Sequence, residues 1–168
     1  MKEFIFIPDT NKNSGLGHFF RCLNYSKFIN SKNKITFFIK RNFNKKYLKK
    51  NNIKYFYYNE LNSINSYLKN SKSSSKIIII DSYKKKIHNN NFNKIFKKKI
   101  SILDFKMSSN SDLVIDHTFN RNKNFHKKIS NQKILVGHNF FPFSAYPKKM
   151  KRNIILINFG SVKKDKLI

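Results

Sequence analysis

The stretch SGLGHFFRC, residues 14 to 22, gathers residue types that the rest of the chain hardly uses. It holds two of the four glycines, one of the five histidines and one of the four arginines. Gly15 and Gly17 follow an apolar run, EFIFI (3–7), and precede a segment with Phe19, Cys22, Leu23, Ser26 and Ile29 at helical spacing. Glycines at such a junction let the backbone turn tightly and approach a ligand, and a helix start offers free N–H groups to an anion. The expected guest is a phosphate or another oxygen-rich group. His18, on the first helical turn, can act as a general base or as a hydrogen-bond partner near neutral pH. A histidine that merely caps or packs has the same spelling. Arg21, one turn further on, is expected to pair with Asp9 or with a strand-end carbonyl.

The pattern is not a dinucleotide fingerprint, because Phe20 occupies the third glycine position, and no Gly-Lys-Ser/Thr follows as in a triphosphate-binding loop. His88, His117, His126 and His138 show no metal-ligand spacing, and the single cysteine falls inside the helical pattern. No metal or other cofactor is expected. Only eight residues are acidic, and four of them close apolar runs: Asp9 after FIFIP, Asp81 after IIII, Asp104 after SIL and Asp116 after LVI. A parallel sheet places its chemistry at the carboxyl ends of its strands, so these four suggest a common rim. Aspartate is equally an ordinary strand-end and helix-cap residue.

Positioning these residues requires an alternation of strands and helices. Strands are expected at 3–7, 34–39, 53–58, 76–80, 99–103, 112–115, 133–136 and 153–159, several of them apolar without period-two alternation, as strands covered on both faces are. Helical spacing appears over 18–30, over 60–69 (Leu61, Ile64, Leu68) and over 85–97 (Ile87, Phe92, Ile95, Phe96). The expected fold class is α/β, a Rossmann-like, doubly wound parallel sheet. The segment 70–76 (NSKSSSK) reads as a surface turn, and 139–153, with two of the three prolines, as a domain boundary.

Composition sets outer bounds. The formal charge is +28, and only four of the 36 basic residues are arginine. Lysine, asparagine, isoleucine, phenylalanine and tyrosine, all encoded by A/T-rich codons, are abundant, so the lysines read first as solvated surface and second as a polyanion-binding face. No arginine-rich or recognisable nucleic-acid module is present, which argues against sequence-specific nucleic-acid binding. One cysteine cannot form an internal disulfide, which fits a reducing cytoplasm. No run approaches the roughly 18 apolar residues of a membrane span.

The segment GLGHFFRCLNYSKFI resembles the G-x-G-H-x-x-R-C-L-x-x-A motif of the UDP-sugar hydrolases of pseudaminic acid biosynthesis, which act on UDP-2,4-diacetamido-2,4,6-trideoxy-β-L-altropyranose. IIIIDSYKKK, ISILDF, SDLVIDHTFN, ILVGHNFFPF and NIILINFGSVKKDKL are similar, in the same order, to later segments of that family, and all four glycines fall on family glycine positions. The resemblance implies a GT-B fold related to MurG, in which two Rossmann-like lobes face each other. It divides the chain into an N-terminal lobe, 1–145, and an interlobe linker with the first strand of a truncated second lobe, 146–168. It further implies His18 as the catalytic base and Asp9, Gly15, Gly17, Arg21, Asp81, Ser82, Tyr83, Asp104 and Asn120 as substrate-binding residues. The implied partners are the UDP-sugar and a separate C-terminal lobe, without which the chain is expected to be inactive. The sequence departs from the family at Ile7-Pro8-Asp9 (usually Arg-Ala-Asp), at Phe105 (usually Asp) and at Ser161, Val162 and Lys163. Two other readings stand beside this one: a GT-B glycosyltransferase and a catalytically inactive, basic polyanion-binding protein.

Binding to nucleic acid is expected to be non-specific and to weaken steeply with salt, because scattered lysines neutralise phosphates without reading base edges. Titrating defined and random duplexes at low and physiological salt checks this. Tight binding to one sequence at physiological salt would favour the polyanion-binding reading instead.

Overall fold

The computed structural model describes residues 1–142 except 12, 13, 15, 72–74, 93, 94, 127, 128 and 130. Seven parallel strands appear among them, β1 (Lys2–Pro8), β2 (Lys34–Ile39), β3 (Tyr55–Tyr57), β4 (Ser75–Asp81), β5 (Lys98–Ile102), β6 (Leu113–Asp116) and β7 (Lys133–Val136). They form one sheet in the order β3-β2-β1-β4-β5-β6-β7. The chain is thus α/β with a Rossmann-like, all-parallel sheet. In register, Ile5 lies between Thr36 and Ile78, and Phe6 between Phe37 and Ile79. Pro8 is the last residue of β1, where a missing N–H interrupts the ladder least.

Strand alternation sorts the apolar side chains onto two faces. Phe6, Phe37, Ile39, Ile79 and Ile102 pack with Phe19, Cys22 and Leu23 of α1 (Gly17–Lys27) and Leu48 of α2 (Lys45–Lys50). Ile5, Ile7, Phe38, Ile78 and Ile80 pack on the other face with Ile64 and Leu68 of α3 (Leu61–Asn70) and Ile87 of α4 (Lys85–His88). Among the described residues no helix is long and apolar enough to cross a membrane.

Several expectations need correction. The helix expected over 85–97 stops at His88. Asparagine side chains compete there with helical hydrogen bonding: Asn90 Oδ1 accepts from Phe92 N at 2.6 Å, and Asn110 Nδ2 donates to Asn89 O and Asn91 Oδ1. Phe92 takes φ +42° and is fully buried, so core packing holds an unfavourable backbone conformation. The lysine run KKYLKK forms α2, started by Asn44, whose side chain accepts from Lys46 N at 2.9 Å. The segment 70–76 is not simply a surface turn, because β4 begins at Ser75 and Ser71 Oγ donates to Glu3 Oε2 at 2.6 Å. Among the described residues two lysines are buried, Lys76 and Lys99; Lys99 is 1% exposed and donates to His88 O, Asn90 O and Asn110 Oδ1, and burial pushes its pKa down to about 8. The expected strand 153–159 and the second-lobe segment 146–168 lie outside the described residues.

Glu3 ties three elements together. Its fully buried carboxylate accepts from Thr36 Oγ1 at 3.0 Å, Tyr67 OH at 2.5 Å and Ser71 Oγ, and it pairs with Lys34 Nζ at 3.0 Å. Burial alone would raise its pKa, but the bonds from Ser71, Tyr67, Lys34 and Thr36 win and lower it from 4.5 to about 2. A depressed carboxylate stabilises the fold above its unfolded pKa, and this contribution is lost as pH falls from about 4.5 through about 2. At 1.36 kcal/mol per pKa unit, the contribution is of order 3 kcal/mol. Urea unfolding of Glu3→Gln against pH should therefore show lower stability at neutral pH and a flatter loss across that window. Parallel curves for the variant and the parent would mean that this carboxylate does not hold the β1–β2–α3 corner.

Candidate functional site

β1 and β4 are neighbours whose chain connections leave in opposite directions, so a crevice opens beyond their carboxyl ends. The four strand-end aspartates lie on adjacent strands: Asp9 follows β1, Asp81 ends β4, Asp104 follows β5 and Asp116 ends β6. The Asp9 N–H donates to Asp81 O at 2.7 Å and closes the base of this crevice.

α1 begins at Gly17 and presents His18, Phe19, Cys22, Leu23 and Ser26 to the sheet. His18 and Arg21, one turn apart, both reach Asp81, which is fully buried. His18 Nδ1 and Arg21 Nη2 each lie 2.5 Å from Asp81 Oδ1, and Arg21 Nε donates to Oδ2 at 2.6 Å. The 3.1 Å approach of Arg21 Nη2 to His18 Nδ1 follows from both groups converging on one oxygen. Burial opposes ionisation of Asp81, yet the bonds from Arg21 and His18 hold its pKa below the usual carboxylate range. Asp81 is thus an acceptor and His18 Nδ1 donates to it, which leaves Nε2 on the side of the ring away from Asp81.

Arg21 extends the cluster. Nη1 donates to Asp104 Oδ2 at 3.2 Å and lies 2.8 Å from His117 Nε2. A guanidinium only donates, so His117 Nε2 accepts and its proton sits on Nδ1, a buried atom without a hydrogen-bond partner among the described residues. Burial and then the Arg21 charge push the His117 pKa down, which favours the neutral ring. Burial works against the Arg21 charge, but Asp81 and Asp104 overcome it and raise its pKa. Cys22 Sγ lies 4.0 Å from Asp81 Oδ2, and burial together with that charge raises its pKa well above the ordinary value, so the thiol is unsuited to nucleophilic chemistry. Tyr83, 54% exposed, sets its ring edge-on to His18 at 4.6 Å and against Phe105 at 5.2 Å, forming the outer wall.

The remaining expected site residues are placed differently. Asp9 is 3% exposed and faces inward, accepting from Asn11 N at 3.2 Å and from Ser82 Oγ at 3.1 Å. Arg21 does not pair with Asp9 as expected, because the two Asp81 oxygens take its fork. Ser82 is equally buried; its Oγ accepts from Lys84 N at 3.1 Å and its carbonyl lies 2.7 Å from His88 Nε2. Asp104 keeps a 26% exposed carboxylate beside Arg21. Asn120 takes φ +54° in an exposed turn, and no contact among the described residues joins it to the cluster. Asp116 accepts from Thr118 N and His126 Nε2 and pairs with Arg121, so it serves its own loop. At Gly17 an added Cβ meets nothing within 4 Å among the described residues, and the φ is not left-handed, so neither their packing nor the backbone requires a glycine there. Gly15 lies outside the described residues.

Sequence reasoning did not find the partnership of Asp81 with His18 and Arg21, nor the role of His117. The one available signal for His117 was its place directly after the last residue of a strand. Compared with known proteins, the chain matches no family model, no curated protein and no solved structure.

Asp81→Asn leaves the buried Arg21 charge without its principal partner, and the expected loss of stability is about 3–5 kcal/mol. Chemical denaturation measures that loss, and ring nitrogen NMR should show His18 losing its fixed Nδ1–H tautomer. A variant as stable as the parent, with the tautomer retained, would show that Asp81 is not what orients the histidine.

Proposed function

We propose that this chain is the N-terminal lobe of a GT-B nucleotide-sugar hydrolase that splits UDP-2,4-diacetamido-2,4,6-trideoxy-β-L-altropyranose into the free sugar and UDP. The observation that carries this reading is the His18–Asp81 pair, held on the first turn of α1 at the crevice where the sheet's connections diverge. A carboxylate that fixes the tautomer and stabilises the imidazolium leaves the far nitrogen to take a proton.

In this scheme His18 Nε2 accepts a proton from water as the water oxygen bonds to the anomeric carbon. The bond from that carbon to the diphosphate oxygen breaks, and UDP departs with the electron pair. Asp81 balances the charge that develops on His18. The partly exposed Asp104 carboxylate would accept from a sugar hydroxyl or acetamido N–H, Tyr83 would wall the ring, and the open side of Gly17 would leave room beside the histidine. Asp9 and Ser82 shape the floor, and Arg21 fixes the carboxylates without facing the reacting atoms. A second lobe is expected to grip most of the UDP.

The purified chain alone is expected to release no UDP, and the chain joined to the second lobe of a hydrolase of that family is expected to release it. In the joined protein, His18→Ala should lower turnover by about 10²–10⁴-fold with little change in substrate affinity. Unaltered turnover in a well-folded His18→Ala protein would remove the catalytic assignment. Transfer of the sugar to an acceptor other than water would favour the glycosyltransferase reading.

A further inference from the structure

A second concave surface lies on the β2–β3 side of the same sheet edge. It is a cleft of about 540 Å³, lined by Lys40 after β2, by the turn from β3 into α3 and by the segment after β4. We propose that this cleft binds a phosphorylated, hydroxyl-rich small molecule, with the Lys40, Lys84 and Lys86 ammonium groups on the phosphate and the Asn59, Asn62 and Asn90 amides on the hydroxyls.

The volume falls within the range of small-molecule sites. Lys40 is held in place: its backbone N–H donates to Thr10 Oγ1 at 2.8 Å, Nζ donates to Asn59 O at 2.5 Å, and Nζ sits 4.2 Å from the Tyr58 ring centroid. Two N–H donors of an already ordered ammonium remain for a ligand, so less side-chain freedom is lost on binding. Burial and then the nearby Lys84 charge lower the Lys40 pKa, a mutual repulsion that an anion between the two relieves. No ion pair among the described residues engages Lys40, Lys84 or Lys86.

Among the described lining residues Glu60 is the one acid, and Asp9 also acts on Lys40, so the cleft keeps a modest positive excess. That balance suits one phosphate better than a polyanion, and the Glu60 carboxylate can accept from a hydroxyl. Leu61 and Ile87 give the C–H face of a sugar an apolar wall. His18, Arg21 and Asp104 do not line this cleft, and the inference does not rest on the hydrolase reading.

Calorimetric titration of the full chain with glucose 6-phosphate, inorganic phosphate and glucose at physiological salt tests it. Glucose 6-phosphate should bind about 10-fold more tightly than phosphate, and glucose alone should not bind detectably. The double variant Lys84→Gln/Lys86→Gln, at exposed positions that folding does not need, should weaken glucose 6-phosphate binding by at least about 10-fold. The charge-matched pair Lys69→Gln/Lys133→Gln, outside the cleft, should change it by less than about twofold. Equal weakening by both pairs would overturn the proposal and leave only the general charge of the chain. Absence of glucose 6-phosphate binding, or binding no tighter than that of phosphate, would overturn it as well.

Discussion

A carboxylate with no exposed surface at the end of β4 is the constraint on which the crevice depends. An ionised Asp81 in that position is stable only if donors surround it, and both its oxygens are met from one helix. Because His18 and Arg21 are three residues apart, both can reach Asp81 only when α1 sits at one height and one rotation over the sheet. The apolar residues that follow on the same stripe, Phe19, Cys22 and Leu23, then meet Phe6, Phe37 and Ile79 beneath them. Apolar packing and charge matching thus demand the same helix position, and that agreement makes the site a single arrangement rather than several.

From this pair the rest of the charge cluster follows. With Nε and Nη2 of Arg21 committed to Asp81, Nη1 is the donor left over. It points along the sheet edge to Asp104 and His117, at the ends of the next two strands. One guanidinium therefore links three consecutive strand ends and fixes which nitrogen of a second histidine accepts. The scarcity of acids gives this economy its logic. In a chain with 36 basic and eight acidic residues, a buried carboxylate attracts more donors than it has oxygens, as Glu3 and Asp116 also illustrate.

The framework was legible in the sequence to the degree that burial decides it. Runs such as KITFFI and KILV coincide with β2 and β7, because β-branched and aromatic residues in short blocks between polar segments fit few other places in an α/β chain. What failed to show was anything depending on a partner distant in the chain. KKYLKK carries too few apolar residues to announce α2, and the asparagines after His88 end α4 through bonds to Asn110, about twenty residues on. Lys99 looks like its neighbours Lys97 and Lys98 until the sheet register turns it inward opposite Ile78. In the site, the glycine-histidine-arginine stretch drew attention to the correct helix start. Whether a strand-end aspartate caps, binds ligand or holds another side chain is not written in its identity. Asp9, Asp81, Asp104 and Asp116 are spelled alike, yet they form a turn, a fully matched anion, a partly exposed carboxylate and the anchor of a loop.

The carboxyl edge of the sheet is electrically divided, and Asp9 and Ser82 mark the division. On the β4–β6 side, positive groups face carboxylates that match them, so the net field is small and directed by hydrogen bonds; such a place can hold a histidine in one tautomer. On the β2–β4 side, the lysines outnumber Glu60; Lys84 and Lys86 are exposed and Lys40 is half-buried. Asp9 touches both sides: Ser82 Oγ donates to its carboxylate, whose charge also reaches Lys40 and Tyr58. Since Ser82 directly follows Asp81 in the chain, the two sides of the edge share a backbone segment as well as a boundary.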